Sequence, residues 1–487
     1  MRVADVFDVA IVGAGSAGCA LAGRLAARTD LRIALIEAGP DYGPRTSGHW
    51  PAELLDAHHS PDTHDWGFEQ ARARVVGGCS VHNECALVRA LPGDYDRWAV
   101  PGWTDAELAP LIAELARNIP TRVCRDDELT AWQRAFLDSA LDAGFPRLAH
   151  GDDAPGGSGV APFVQNIKDD LRWNAAFAYL DAVRSRVAVI SDVLVDRLML
   201  EGDRARLLIA HGSHGAREIH AERFVLSGGV YGSPMILLRS GVGPPGHLKK
   251  LRIPIHAALP GVGANLHDHP GVGIEYQPTT RALRAVKEDV KARRFYEAQI
   301  VLKTPDLHVV PYQTQDAPAR WSFGVLAYYL SPRSRGRVRL TSRDPEKPPA
   351  LDLGLLKDRH DVDTLIDGAE IIHELTRRVP LAEAIARGPR WFKSRARRAR
   401  FVRSNVTDYA HPVGTCRMGL APEAGDVVDA RGRVHGLANV FVADASVMPQ
   451  IPRANINLTC FVIGARVADF LLSAPAPRPP ASRPPSP

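Results

Sequence analysis

The chain has 487 residues, of which 45% are hydrophobic and 24% charged, and carries a net charge of +5. That length and balance belong to a folded protein with a large core and two or three domains, and they exclude a disordered, collagen-like or disulfide-framework chain. No apolar run approaches the eighteen or so residues that a membrane span requires.

The N-terminal apolar run of "MRVADVFDVAIVGAG" reads as a strand, since no small-residue cleavage site follows it. Phe7 to Val12 forms that strand, and Gly13, Gly15 and Gly18 follow in G-x-G-x-x-G spacing. They open an alanine-rich helix that runs to about Arg28, and a second strand from Leu31 to Ile36 ends at Glu37. The first glycine permits a tight turn, the second lets the backbone approach a pyrophosphate, and the third allows close helix–strand packing. Glycines alone would signal only a turn; the order strand, helix, strand, acid specifies a dinucleotide site. Glu37 sits where a carboxylate receives ribose hydroxyls and disfavours a 2′-phosphate, so NADP is excluded, while FAD and NAD stay open.

Next comes "RVVGGCSVHNECALVRALPGDYDRW" (74–98), which places His82 and Asn83 just behind the pair Gly77 and Gly78. "RFVLSGGVYGSPMILLRSGVGP" (223–244) reads as strand, glycine turn and apolar helix, and "LPGVGANLHDHP" (259–270) as a turn. The middle of the chain carries the strand-like "RGRVRLTS" (335–342) and a helix over "DVDTLIDGAEIIHELTRRV" (361–379). "RWFKSRARRARFVR" (390–403) holds seven basic residues and no acid. It reads as the solvated face of a basic helix, suited to an anionic substrate or a protein partner if it borders the entrance, and no nucleic-acid signature accompanies it. "ANVFVADASVMP" (438–449) is a strand ending at Asp444, and "FVIGARVADFLL" (461–472) is helical. The Pro-rich 473–487 cannot bury a core and is expected to be a disordered tail.

Six cysteines lack metal-ligand spacing, so free thiols in a reducing, cytoplasmic setting are expected. His267, Asp268 and His269 are adjacent within a turn, and no metal is expected there. A G-x-S-x-G elbow, the mark of a serine hydrolase on this kind of sheet, is missing. The nucleotide domain is thus fed from both ends of the chain: 1–145, 186–272 and 411–472 form it, and 146–185 with 273–410 form a second unit.

From residue 7 to 472 these blocks, together with "PRSRGRVRLTSRDP", "HPVGTCRMG" and "RANINLT", resemble in order the glucose-methanol-choline (GMC) oxidoreductases, FAD enzymes that oxidise alcohols. The resemblance implies an α/β fold: a Rossmann-like FAD-binding domain interleaved with a smaller α+β substrate domain built on an antiparallel sheet. It implies FAD, a small-molecule alcohol as substrate, and oxygen or another carrier as electron acceptor. Implied FAD contacts are Gly13, Gly15, Ser16, Ala17, Gly18, Glu37, Ala38, Gly77, Gly78, Asn83, Val195, Asp444, Ala445 and Asn457. The stretch at 74–83 is most similar to the choline oxidase-like subgroup, where a histidine at the place of His82 is joined to the flavin 8α-methyl. In the family the positions matched by His411 and Asn455 face the flavin N5. An imidazole with an ordinary pKa near 6.5 suits removal of the hydroxyl proton, and an amide holds oxygen without competing for it. Glu297 and Tyr409 match the subgroup's substrate residues loosely, and His308 falls about two residues early of its second active-site histidine. Some relatives of this fold are hydroxynitrile lyases, which carry FAD without redox turnover, and that reading is the alternative.

Overall fold

The computed structural model describes residues 6–58, 60–153, 156–294, 299–317 and 320–473. Parallel strands build its centre, in the spatial order Val187–Ile190, Ile33–Ile36, Val6–Val12, Gly215–Leu226, Val440–Val442. Numbered along the chain this is 3-2-1-4-5, a doubly wound order whose ligand crevice lies at the carboxyl end of the first strand, where the winding reverses. Val9–Val12 and Ile33–Ile36 are buried throughout, as parallel strands covered on both faces must be. The final strand comes from the C-terminal part of the chain, so both ends supply this sheet. The first half of Gly215–Leu226 leaves it to pair antiparallel with Arg204–Gly212, which in turn pairs with Leu194–Glu201.

A second, antiparallel sheet runs Ile385–Arg387, Pro270–Pro278, Arg320–Tyr329, Leu307–Ala317, Ile300–Lys303, Gly159–Pro162, with Val406–Asp408 also on Pro270–Pro278. Its strands alternate with period two. Leu307, Val309, Val325 and Ala327 pack with the helices Ala131–Asp142 and Arg359–Leu375. Val301, Val310, Leu326 and Tyr328 turn the other way and form a separate cluster with Phe163 and Tyr409.

The structure redraws several sequence expectations. Helix Ala131–Asp142 buries Trp132 and Phe136 in the second core, although the sequence reading assigned everything up to 145 to the first domain. Conversely, Ala175–Leu180 pack in the first core, where the carbonyl of Tyr179 sits against Gly23, although 146–185 was assigned to the second unit. An apolar helix face does not say which sheet it will cover. The strand expected over 335–342 shrinks to Arg337–Arg339, because Gly336 and Val338 donate their N–H groups to the turn at Leu266 and Gly263. The basic stretch forms the helix Arg395–Ser404, tied by Arg395 to Asp363 (2.9 Å) and by Arg398 to Glu370. Its Val402 enters the helix-covered core, so this segment lies on the sheet face opposite Tyr328 and does not border the site. Of the tail expected over 473–487, Ser473 ends the helix Asn457–Ser473, and the rest lies outside the described residues. All six cysteines are free, and no helix among the described residues is long and apolar enough to cross a membrane.

Helices Ser16–Arg28 and Asn457–Ser473 pack so closely that a Cβ on Gly464 would lie 2.9 Å from the carbonyl carbon of Ala17. Overpacking against backbone that cannot yield costs about 1–3 kcal/mol. Gly464→Val should therefore lower the denaturant midpoint by a corresponding amount with an unchanged m-value, and a wild-type midpoint would contradict this packing.

Candidate active site

Two glycine loops meet at the carboxyl end of the first strand. Gly77 N–H donates to the Ala14 carbonyl (2.8 Å), and a Cβ on Gly78 would lie 2.5 Å from the Cα of Gly15. Gly77 and Gly78 hold φ of +103° and +54°, a region where glycine pays no steric cost. Gly15 begins helix Ser16–Arg28 with no side-chain cap and no acid in the first turn. Its leading N–H groups and the helix dipole are therefore available to an anion. Ser16 Oγ donates to Asn457 Oδ1 (2.7 Å), and Asn457 Nδ2 is buried without a partner in the protein.

Glu37 is buried, and its carboxylate accepts the N–H groups of Ala14 (2.9 Å) and Gly39 (3.0 Å). Burial pushes its pKa up against those donors. Ala38 is held by Arg74 through its carbonyl (3.2 Å). Val193 N–H donates to the Glu37 carbonyl (3.0 Å), which brings the buried Val195 to the same end of the sheet. Asp444 grips the start of helix Gly229–Arg239, accepting from Gly229 N (2.9 Å) and Ser233 Oγ (2.5 Å), and the Ala445 carbonyl accepts Gly414 N–H (3.1 Å). A glycine cradle, an uncapped helix N-terminus and an unpartnered amide donor fit the phosphates and ring of a flavin dinucleotide.

His82 closes the short helical turn Gly78–Val81. Its Nε2 is buried without a partner, and burial lowers its pKa, partly offset by the Thr63 carbonyl. Asn83 Oδ1 is taken internally, accepting Cys85 N–H (3.1 Å) and Arg172 Nη1 (3.4 Å).

The second half of the site gathers around His411. His269 Nε2 faces the Pro452 carbonyl (3.1 Å) and so carries its proton there, leaving Nδ1 bare. That bare nitrogen lies 3.3 Å from His411 Nδ1, which must then donate, and His411 Nε2 is left as an acceptor 3.4 Å from Asn455 Nδ2. The direction of this chain is fixed at its buried end. Burial takes His269 to about 3, and burial with neighbouring histidines holds His411 well below its ordinary value. Asn455 also bonds the Tyr409 side chain, and Asn455 Oδ1 is buried without a partner.

Tyr409 stacks on Tyr328 with ring centroids 3.8 Å apart and lies 4.4 Å from the His411 ring. His308 stands opposite Tyr328 across the ladder and 6.2 Å from Tyr409, so the structure brings it into the site despite its early register. Burial takes His308 to about 3, and its Nδ1 has no partner. Glu297 lies outside the described residues.

The turn that aims His411 is strained: Ala410 sits at φ +59°, which costs roughly 1–2 kcal/mol. Arg72 donates to the Ala410 carbonyl (3.1 and 3.2 Å), Asp268 Oδ1 accepts His411 N–H (3.0 Å), and Asp408 Oδ1 accepts Ala410 N–H (2.9 Å). Hydrogen bonds to charged groups contribute about 1.5–3 kcal/mol each, so the turn is held. His269, Asp268, Arg72 and Tyr328 were not singled out from sequence for this site. The run "HDH" at 267–269 was the signal for His269 and Asp268, and it reads as a turn; Arg72 and Tyr328 carried none.

Family models described as GMC oxidoreductase match residues 7–271 and 332–464. The chain is 30% identical to a 5-(hydroxymethyl)furfural oxidase of Methylovorus sp., over 96% of this chain and 99% of that protein. It is 31% identical to oxygen-dependent choline dehydrogenase 1 of Chromohalobacter salexigens, with 96% and 95% covered. The crystal structure of a pyridoxine 4-oxidase from Mesorbium loti superposes with a TM-score of 0.84 at 28% identity, covering 96% of this chain and 99% of that one. With both halves matched and the cradle intact, the chain belongs to the GMC oxidoreductase family, whose members are FAD enzymes.

Proposed function

We propose that this GMC oxidoreductase oxidises the CH–OH group of a flat, uncharged aryl or heteroaryl alcohol, with His411 as base and Asn455 holding the hydroxyl. The observation that carries the reading is the bare Nε2 of His411 set 3.4 Å from the Asn455 amide nitrogen. Two nitrogens at that separation can both reach one hydroxyl oxygen at about 2.9 Å, one accepting its proton and the other donating to its lone pair. Bound FAD supplies the acceptor for the hydride that leaves the alcohol carbon. Burial keeps the imidazole neutral through the physiological range, so it is a ready base without prior deprotonation.

The substrate class is supported by the wall opposite. Ala86, Val88, Phe163, Val310, Leu326, Tyr328, Tyr409 and Ala454 form one apolar cluster, and His308 beside it is neutral. Glu84, whose charge reaches Tyr328 and Tyr409, is exposed to solvent. The names of the furfural oxidase and the pyridoxine oxidase point to ring-bearing alcohols, and both are oxidases, which favours oxygen as acceptor. His82 is proposed to carry the flavin covalently, supported by its buried, unpartnered Nε2 and its lowered pKa. Six free thiols fit the cytoplasmic setting expected from the sequence.

An anaerobic panel of alcohols followed by flavin absorbance tests the reaction: a ring-bearing primary alcohol should bleach the yellow protein and air restore it, with kcat/KM about 10²-fold above choline. A cyanohydrin lyase would leave the colour unchanged with every alcohol. His411→Ala should lower the rate of bleaching about 10²- to 10⁴-fold, the usual worth of a positioned base, with flavin content retained. Acid precipitation should leave the colour in the pellet, whereas His82→Ala should release it to the supernatant; colour in the wild-type supernatant rules out the tether.

A further inference from the structure

The carbonyl of Ala410 and the N–H of His411 belong to one peptide unit, and the two ends of that unit are held by opposite charges. Arg72 Nη1 and Nη2 donate to the carbonyl at 3.1 and 3.2 Å, and Asp268 Oδ1 accepts the N–H at 3.0 Å. The two grips are cross-braced. Gln70 Nε2 donates to Asp268 Oδ2 (3.2 Å), while Gln70 Oε1 accepts from Arg72 Nη2 (3.3 Å) and from the Tyr231 hydroxyl. Tyr231 also presents its ring to the Arg72 guanidinium at 5.7 Å. Gln70, Asp268 and Tyr231 are buried, so these bonds are poorly replaced by water.

We infer that Arg72 and Asp268, braced by Gln70 and Tyr231, form a two-ended clamp on the 410–411 peptide that holds Ala410 left-handed and thereby aims the His411 imidazole. This rests on His411 being the base. Rotation of that peptide plane would turn the Cα–Cβ bond of His411 away from Asn455 and break its alignment with His269. None of the four residues touches the reacting atoms; they are positioning residues. In the same tripeptide Asp268 holds a backbone amide and His267 accepts Ile451 N–H (3.1 Å).

The clamp's carboxylate is also sensitive to pH. Burial and the Asp408 carboxylate push Asp268 up to about 7, against Arg72, the His411 amide and Gln70. The neighbouring Tyr231, His269 and His411 side chains are neutral there. A carboxyl that loses its charge below about 7 grips an N–H less strongly, since charge-assisted bonds are about twice as strong as neutral ones.

The test compares D268N, R72K and D268N/A410G as flavin-loaded holoenzymes. In D268N one of two donor-facing positions becomes a donor, and kcat should fall about 10²-fold, the usual effect of a 1 Å misplacement, with KM and flavin content near wild type. The rise of kcat through about pH 7 should flatten. Adding A410G, which accepts the left-handed backbone without strain, should restore about tenfold of the loss. Amide exchange over 409–413, which needs no turnover, should quicken at least tenfold in D268N and again in R72K, which keeps the charge and loses the fork. If D268N does not fold, R72K reads the same clamp from the carbonyl side. Wild-type kcat with wild-type exchange in these variants overturns the inference, as does a loss that A410G leaves wholly unrepaired. A wild-type protein that bleaches with no alcohol defeats the functional reading instead, and the exchange measurement then decides the clamp alone.

Discussion

The site depends on a place where two backbones touch with no side chain between them. Gly15 and Gly78 approach so closely that a methyl group on Gly78 would collide with the Gly15 backbone, and Gly77 N–H locks the approach onto Ala14. That contact sets the loop carrying His82 against the uncapped helix end whose N–H groups are open to an anion. A Cβ on Gly13 would likewise collide with the Ser227 backbone, and Ser227 in turn bonds Val12 through N–H (2.7 Å) and the Ala443 carbonyl through its hydroxyl (2.9 Å). Three segments widely spaced in sequence are thereby drawn to one end of the parallel sheet. Steric exclusion does this more sharply than attraction could, because backbone cannot rotate out of the way.

Around His411 the ordering force is desolvation. His267, His269, His308 and His411 all have pKa values lowered chiefly by burial, so each is a neutral ring with one donor and one acceptor. A run of such rings has a direction, and carbonyls fix it: Asn265 at His267 Nδ1 (2.6 Å) and Pro452 at His269 Nε2. His267 and His269 reach the 451–452 loop, while Asp268, between them on an extended segment, turns the other way to the 410–411 turn. One tripeptide thus registers the loop carrying His411 against the loop leading to Asn455. Protonating His267, His269 or His411 would set donor against donor in a place that water cannot repair.

What the sequence discloses follows from how tightly local chemistry constrains residue identity. The glycine fingerprint and the strand and helix around it are readable because the turn and the close approach admit only glycine. His82, His411 and Asn455 were reached through their spacing in a resembling family. His308 could not be placed from its register because a strand residue's surroundings are set by partner strands; opposite Lys303 and Tyr328, its parity decides the face it presents. Asp268 hid in a turn motif because its partners Gln70, Arg72 and His411 come from distant segments. The helix Ala131–Asp142 shows its apolar face plainly, yet nothing in its pattern distinguishes the sheet it covers from the one it does not.

The two faces of the antiparallel sheet divide labour by parity, and this bears on how substrate choice can change while the fold stays. Val309 and Val325 point to the helices, and Val310 and Leu326 to the site, one residue along the same strands. A substitution on the site face leaves the helix-facing core untouched, because neighbouring side chains in a strand never share a side. Gly271 and Gly273 extend the argument: a Cβ on either would press into Tyr328 or Leu326 on the adjacent strand, so small residues at one position make room for large ones at the next. The family models end at 271 and resume at 332, and the strands between supply Val301, Val310, Leu326 and Tyr328 to this wall. Conserving the cradle and the histidine chain while varying that stretch is the route the geometry leaves open for fitting a different alcohol against the same His411–Asn455 pair.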